Sequence, residues 1–148
     1  RMSIRFEHAL DLSCAPAKAF AILDDIAQTP KWITRVTGVE KLTNSRDAVG
    51  TRLRYSYREA GHTGSIEAEI VSRQPSEHLR LRIEDKLANV TLDFRMSPRD
   101  GGTRLVNVVE IMPKTFMARV FSPVIRNQLP KHVCAALEEL RRLVEEAS

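Results

Sequence analysis

Apolar positions alternate with polar ones from the start of the chain: Ile4, Phe6, His8, Leu10 and Leu12 share one parity, while Arg5, Glu7 and Asp11 take the other. Side chains two residues apart lie on the same face of a strand, so this segment predicts a half-buried strand. In "SCAPAKAFAILDDIAQTPKWITRV" the period lengthens to that of a helix, through Ala17, Phe20, Ala21, Leu23 and Ile26. Pro16 suits a first helical turn, and Thr29 followed by Pro30 reads as an N-cap with Pro at the first helical position. Two short helices fit these signals better than one long one.

From Val39 to Met112 the strand period returns, interrupted by "NSRDAVG", "EAGHTG", "RQPSEH", "EDKLAN" and "SPRDGG", which predicts six further strands. Short connections imply antiparallel neighbours, and a single apolar face implies a sheet covered on one side. The inward faces read Leu53/Tyr55/Tyr57, Ile66/Ala68/Ile70, Leu79/Leu81/Ile83, Val90/Leu92/Phe94/Met96 and Leu105/Asn107/Val109/Ile111. Beyond Pro113, Phe116, Val120, Val124, Leu129, Val133, Leu137, Leu140 and Val144 predict one long amphipathic helix, kinked or broken near Pro123 and Pro130. The fold class is therefore α+β: a seven-stranded curved antiparallel sheet wrapped around a long C-terminal helix, with two short helices after the first strand. No repeat or linker divides it, and residues 2–148 are expected to form a single domain.

Composition agrees with a packed core, since 43% of the 148 residues are hydrophobic. The net charge of +4 is a small difference between 23 basic and 19 acidic residues, and no run of five like charges occurs, so basicity gives little reason to expect a nucleic-acid partner. The stretch "GTRLRYSYRE" mixes cations with aromatic rings as a single-strand platform would, but parity separates them. Leu53, Tyr55 and Tyr57 point inward, whereas Arg52, Arg54 and Arg58 point outward as a solvated face. An interaction module built on these arginines is the least favoured of three functional readings.

No apolar run approaches the roughly 20 residues that span a bilayer, and the N-terminus lacks a signal-peptide pattern, so a cytoplasmic protein with no stable membrane insertion is expected. Cys14 and Cys134 have no metal or redox spacing and are expected as free thiols. The four histidines are scattered along the chain, so neither a metal nor a cofactor is expected. Val106 and Val108, apolar on the outer face of the last strand, offer a homodimer contact.

"APAKAFAILDDIAQTPKW", "VGTRLRY", "VSRQPSEHLRLRI", "DGGTRLVNVVEI" and "ALEELRRLVEE" together resemble the START-like SRPBCC superfamily with its helix-grip fold, in particular the polyketide cyclase/dehydrase and lipid-transport group. The resemblance is one of fold and turns over essentially the whole chain, of a bacterial type, and contains no catalytic motif. It implies a hydrophobic cavity between sheet and long helix. Residues of the matching parity that would line it are Phe6 and His8 on the first strand, Leu53, Tyr55 and Tyr57 on the third, and Ile70 on the fourth. Leu81, Ile83, Leu92, Phe94, Asn107 and Val109 would follow on the remaining strands, with Trp32 from the second short helix. Phe116, Val120, Val124, Leu129 and Val133 would face them from the final helix. The segment "KTFMARVFSPVI" is apolar enough for a membrane-contacting gate, but reads more simply as the cavity side of that helix.

Buried polar groups need partners, so His8, Tyr55, Tyr57 and Asn107 are the candidates for contact with a polar part of a ligand, and for catalysis if there is any. The leading reading is binding of a hydrophobic small molecule such as a lipid or polyketide. The alternative is a cyclase or aromatase acting on a bound poly-ketone, in which Tyr and His move protons beside a carbonyl.

Overall fold

The alternation at the N-terminus becomes β1 (Ile4–Leu12), and the helical stretch after it becomes α1 (Pro16–Asp24) and α2 (Thr29–Trp32). Six strands follow: β2 (Val36–Lys41), β3 (Arg52–Glu59), β4 (His62–Gln74), β5 (His78–Glu84), β6 (Ala88–Arg99) and β7 (Gly102–Pro113). The chain closes with α3 (Phe116–Val120) and α4 (Ser122–Glu146). The computed structural model describes residues 3–43 and 48–147, so Asn44 to Asp47 of the first predicted turn lie outside the described residues.

All seven strands form one antiparallel sheet in the order β1-β7-β6-β5-β4-β3-β2. The meander from β2 to β7 follows from its short loops. β1 joins β7 along its whole length, from Ile4 opposite Ile111 to Leu12 opposite Thr103. Two of the hairpins turn on two residues with positive φ, Ala60–Gly61 and Asp100–Gly101, the geometry whose twist matches that of the strands it joins. At Gly102 a Cβ would stand 2.1 Å from the Leu12 carbonyl oxygen, so glycine lets β1 and β7 meet there. Irregular register at Val36/Gly38 and at Ile70/Ser72 lets the sheet bend.

The C-terminal half of α4 lies in the bend. Val133, Leu137, Leu140 and Val144 form its buried stripe, packed with Ala19, Phe20 and Leu23 of α1 and with Leu10, Leu12 and Leu105 of the sheet. Arg73 at the end of β4 ties α1 to the sheet: its Nη2 donates to Asp24 at 2.7 Å, and its guanidinium sits over the Phe20 ring.

The break expected near Pro123 is present, and two other expectations need correction. The segment after Pro113 is two helices, separated at Phe121, because Pro123 occupies the first turn of α4 and cannot continue a helix that arrives from α3. Pro130, by contrast, lies inside α4 without ending it. Thr29 is the first residue of α2 with Gln28 in the cap position, and no side chain caps that turn.

Candidate ligand-binding cavity

The N-terminal half of α4 stands off the concave face of the sheet, and a cavity of about 610 Å³ lies between them. Its depth is lined by aliphatic side chains of the strands, among them Ala68, Leu81, Ile83, Val90, Leu92 and Val109, faced by Leu129, Val133, Ala136 and Leu137 of α4. The exposed lining residues are Arg35, Glu59, Val124 and Gln128, and they mark the mouth. Arg35 and Glu59 form an ion pair there at 3.6 Å. A small extension of about 60 Å³ runs from the main cavity beneath α1 and α2, bounded by Leu53, Ile70 and Leu79, with Trp32, Tyr55 and Phe94 at the junction.

Few polar groups line the interior. Trp32 on α2 is buried and meets the Phe94 ring edge-on, with centroids 6.1 Å apart. Its Nε1 is buried with no hydrogen-bond acceptor. Tyr55 projects from β3, and removal from water pushes its phenol up to about 12. The Asn107 Nδ2 donates to the Asp93 carbonyl oxygen at 3.0 Å, which fixes the amide of this cavity-lining residue. Tyr57 lies across Gly64, its cross-strand partner, where a Cβ would come within 2.6 Å of the hydroxyl oxygen. His132 enters from α4, one turn beyond Gln128 and one turn before Ala136.

Of the candidates named from sequence, Trp32, Tyr55, Tyr57, Leu81, Ile83, Leu92, Phe94, Asn107, Val109, Val124, Leu129 and Val133 line the main cavity. Leu53 and Ile70 line the extension. Phe6 and His8 line neither; they stack on one another along β1, next to β7 at the edge of the sheet, with rings 6.3 Å apart. Phe116 and Val120 are exposed on α3, because the break at Phe121 takes that turn out of line with the cavity face of α4. The polar lining residues not named from sequence are Arg35, Glu59, Gln128 and His132, of which Glu59 shares the parity of Tyr55 and Tyr57. Gln128 and His132 sit on the four-residue row between Val124 and Ala136, a helical signal that a search for apolar positions passes over.

Two of the three outward arginines of "GTRLRYSYRE" are engaged: Arg52 pairs with Glu67 and Glu69 at 3.3 and 3.4 Å, and Arg54 with Glu40 and Glu67 at 3.3 and 3.7 Å. On the same outer face Asp93 is buried and accepts from His78 at 2.5 Å and from Arg80 at 3.0 Å, while Ser72 bonds the other His78 nitrogen. Burial alone would raise the Asp93 carboxyl, but the hydrogen bonds from Arg80 and His78 outweigh it and hold it below its ordinary value. Cys14 and Cys134 are free thiols. Among the described residues no group of three or more His, Cys, Asp or Glu side chains is placed to hold a metal ion, and no helix is long and apolar enough to cross a membrane.

The sequence model of a family described as polyketide cyclase/dehydrase and lipid transport matches residues 3–145. Among solved structures, a START superfamily protein from Mycobacterium smegmatis superposes with a TM-score of 0.82 at 14% identity, over 97% of this chain and 99% of that one. The Zhui aromatase/cyclase from Streptomyces sp. R1128 gives 0.76 at 14% identity, over 97% and 94%. The di-domain aromatase/cyclase StfQ of the steffimycin biosynthetic pathway gives 0.81 at 15% identity; 99% of this chain corresponds to 52% of that one. At such identities the likeness is one of fold. No curated protein matches the sequence.

Proposed function

This chain belongs to the polyketide cyclase/dehydrase and lipid transport family, and we propose that its cavity binds a mostly apolar small molecule that carries an oxygen acceptor at its inner end. The observation that carries this reading is the placement of polarity in the cavity. In the main cavity the charged side chains, Arg35 and Glu59, line the mouth and the walls are aliphatic, while Trp32, whose Nε1 is an unpartnered donor, and Tyr55 both line the inner junction. A buried donor left without an acceptor costs about 1–3 kcal/mol, which a carbonyl or hydroxyl oxygen of a ligand would recover. The aliphatic remainder of the ligand would gain by leaving water.

Trp32 is the only tryptophan in the chain, so its fluorescence reports on the site directly. Titration with a long-chain fatty alcohol or a polycyclic ketone should shift its emission saturably, and native mass spectrometry should find one ligand per chain. Trp32→Phe, followed by native mass spectrometry, should weaken the oxygen-bearing ligand about tenfold and leave a pure hydrocarbon of the same size unaffected. If no apolar compound binds, the reading fails. If the two ligand types weaken equally, the assignment of Trp32 Nε1 fails.

A second reading, cyclase chemistry on a bound poly-ketone, is favoured by one observation: Tyr55 and His132 line the same cavity, one able to donate a proton and the other able to move one. On this reading Tyr55→Phe lowers turnover of a poly-ketone substrate far more than its binding. An equal loss in both would leave Tyr55 as a binding contact only.

A further inference from the structure

The segment expected to face the cavity instead presents, among the described residues, the densest group of exposed apolar side chains. Phe116 is 73% exposed, and Met117, Val120, Phe121 and Val124 are each at least half exposed. These residues are held in place. The Thr115 side chain caps α3 by accepting from the Ala118 N–H at 3.0 Å, and Ser122 donates to the Ala118 carbonyl across the break. Just before α3, the Lys114 N–H donates to the Leu87 carbonyl at 2.8 Å, which brings the exposed Leu87 of the β5–β6 turn alongside.

Charge around this group is one-sided. Residues 111–137 contain Lys114, Arg119, Arg126 and Lys131 and none of the chain's 19 acidic residues. The adjoining β5–β6 turn is balanced, Asp85 against Lys86, and the Lys114 ammonium donates to the Asp85 carbonyl. The apolar group also meets the cavity, because Val124 belongs both to it and to the mouth, where Gln128 follows one turn later.

We propose that α3 and the first turns of α4 form a docking surface for an anionic lipid bilayer, with Phe116, Val120 and Phe121 entering the headgroup–acyl boundary while Arg119 and Arg126 face lipid phosphates. A short amphipathic element that joins aromatic side chains to cations has the composition of an interfacial anchor. Each cation near an anionic surface adds to the attraction. A second copy of the chain fits poorly, because a symmetric contact would bring two such cation-rich segments together. Docked in this way, the mouth at Val124 opens toward lipid, and an apolar molecule passes between cavity and bilayer without crossing water.

The test is co-sedimentation of the full chain with vesicles, which needs no cavity ligand and so stands apart from the function proposed above. Vesicles of phosphatidylcholine with phosphatidylglycerol should retain the protein, phosphatidylcholine alone should retain far less, and added salt should release it. Arg119→Glu with Arg126→Glu should lower partitioning about tenfold or more, and Phe116→Glu with Val120→Glu should do the same. Neither pair lines the cavity, so binding of a soluble apolar probe should stay unchanged, which also shows that the variants fold. The proposal is overturned if the wild type ignores anionic vesicles, or if the folded variants sediment as it does. It is equally overturned if light scattering finds a dimer that Phe116→Glu splits, since a second copy then covers the surface.

Discussion

The Tyr55 phenol is held protonated by its surroundings, and this narrows what it can do. With its ionisation pushed up to about 12 by burial, it donates a hydrogen bond at any physiological pH and cannot serve as a resting base. Any base for proton transfer in this cavity is therefore another group, and His132 is the imidazole on its wall. A phenol whose folded value lies above the unfolded one stabilises the fold fully below pH 10, and that contribution is lost as pH rises toward 12. Alkaline unfolding should accordingly flatten in Tyr55→Phe, measured as the thermal midpoint between those pH values. Asp93 has the opposite sign. Its carboxyl lies below the ordinary 3.8, so its contribution is present above that value and is lost as pH falls through the folded one. Asp93→Asn should cost about 2 kcal/mol near neutrality, and the gap from wild type should close in urea titrations run below the ordinary carboxylate range. Nothing in the sequence singled out Asp93, because outward parity on β6 reads as solvent. The groups that shut it in, His78 and Arg80, come from the neighbouring strand, and strand pairing is not written in the local pattern.

At the scale of elements, parity placed the inward faces of the strands, and Leu81, Leu92 and Val109 lie where alternation puts them. A two-residue period is rigid, since one slip would turn a whole strand inside out. The final helix was less legible. An apolar recurrence at three to five residues fits one helix or two, and the choice depended on how each proline is used. Pro123 falls in a first turn, where its missing N–H is not needed, and so it defines a start. Pro130 falls mid-helix, where it removes a backbone donor, and the surrounding packing of Leu129 and Val133 carries α4 through it. That strain is open to measurement. Pro130→Ala should restore the hydrogen bond and raise stability by about 1–3 kcal/mol, read as a higher thermal midpoint. A lower midpoint would mean that the fixed backbone geometry of Pro130 is needed to seat the first half of α4 over the cavity.

For the whole molecule, the cavity is a consequence of what the two layers bring to it. The sheet offers mid-sized aliphatic side chains along its concave face, α4 offers Ala136 and Leu137 opposite, and only 5% of the residues are aromatic, so the space between them is not filled. The family resemblance made such a gap expected, but its mouth at Arg35 and Glu59 arises from where α2 leads into β2, which residue pattern does not specify. The gap can be filled on purpose. Ala136 stands on the cavity wall from the middle of α4, and Ala136→Phe would send a ring into open space rather than into packed side chains. Burying that ring should raise stability by about 1–2 kcal/mol, while ligand binding is lost. The two readouts move in opposite directions only if the space is real and is where the ligand sits. A variant that merely misfolds loses both, overpacking lowers stability, and retained binding would move the ligand to another part of the protein.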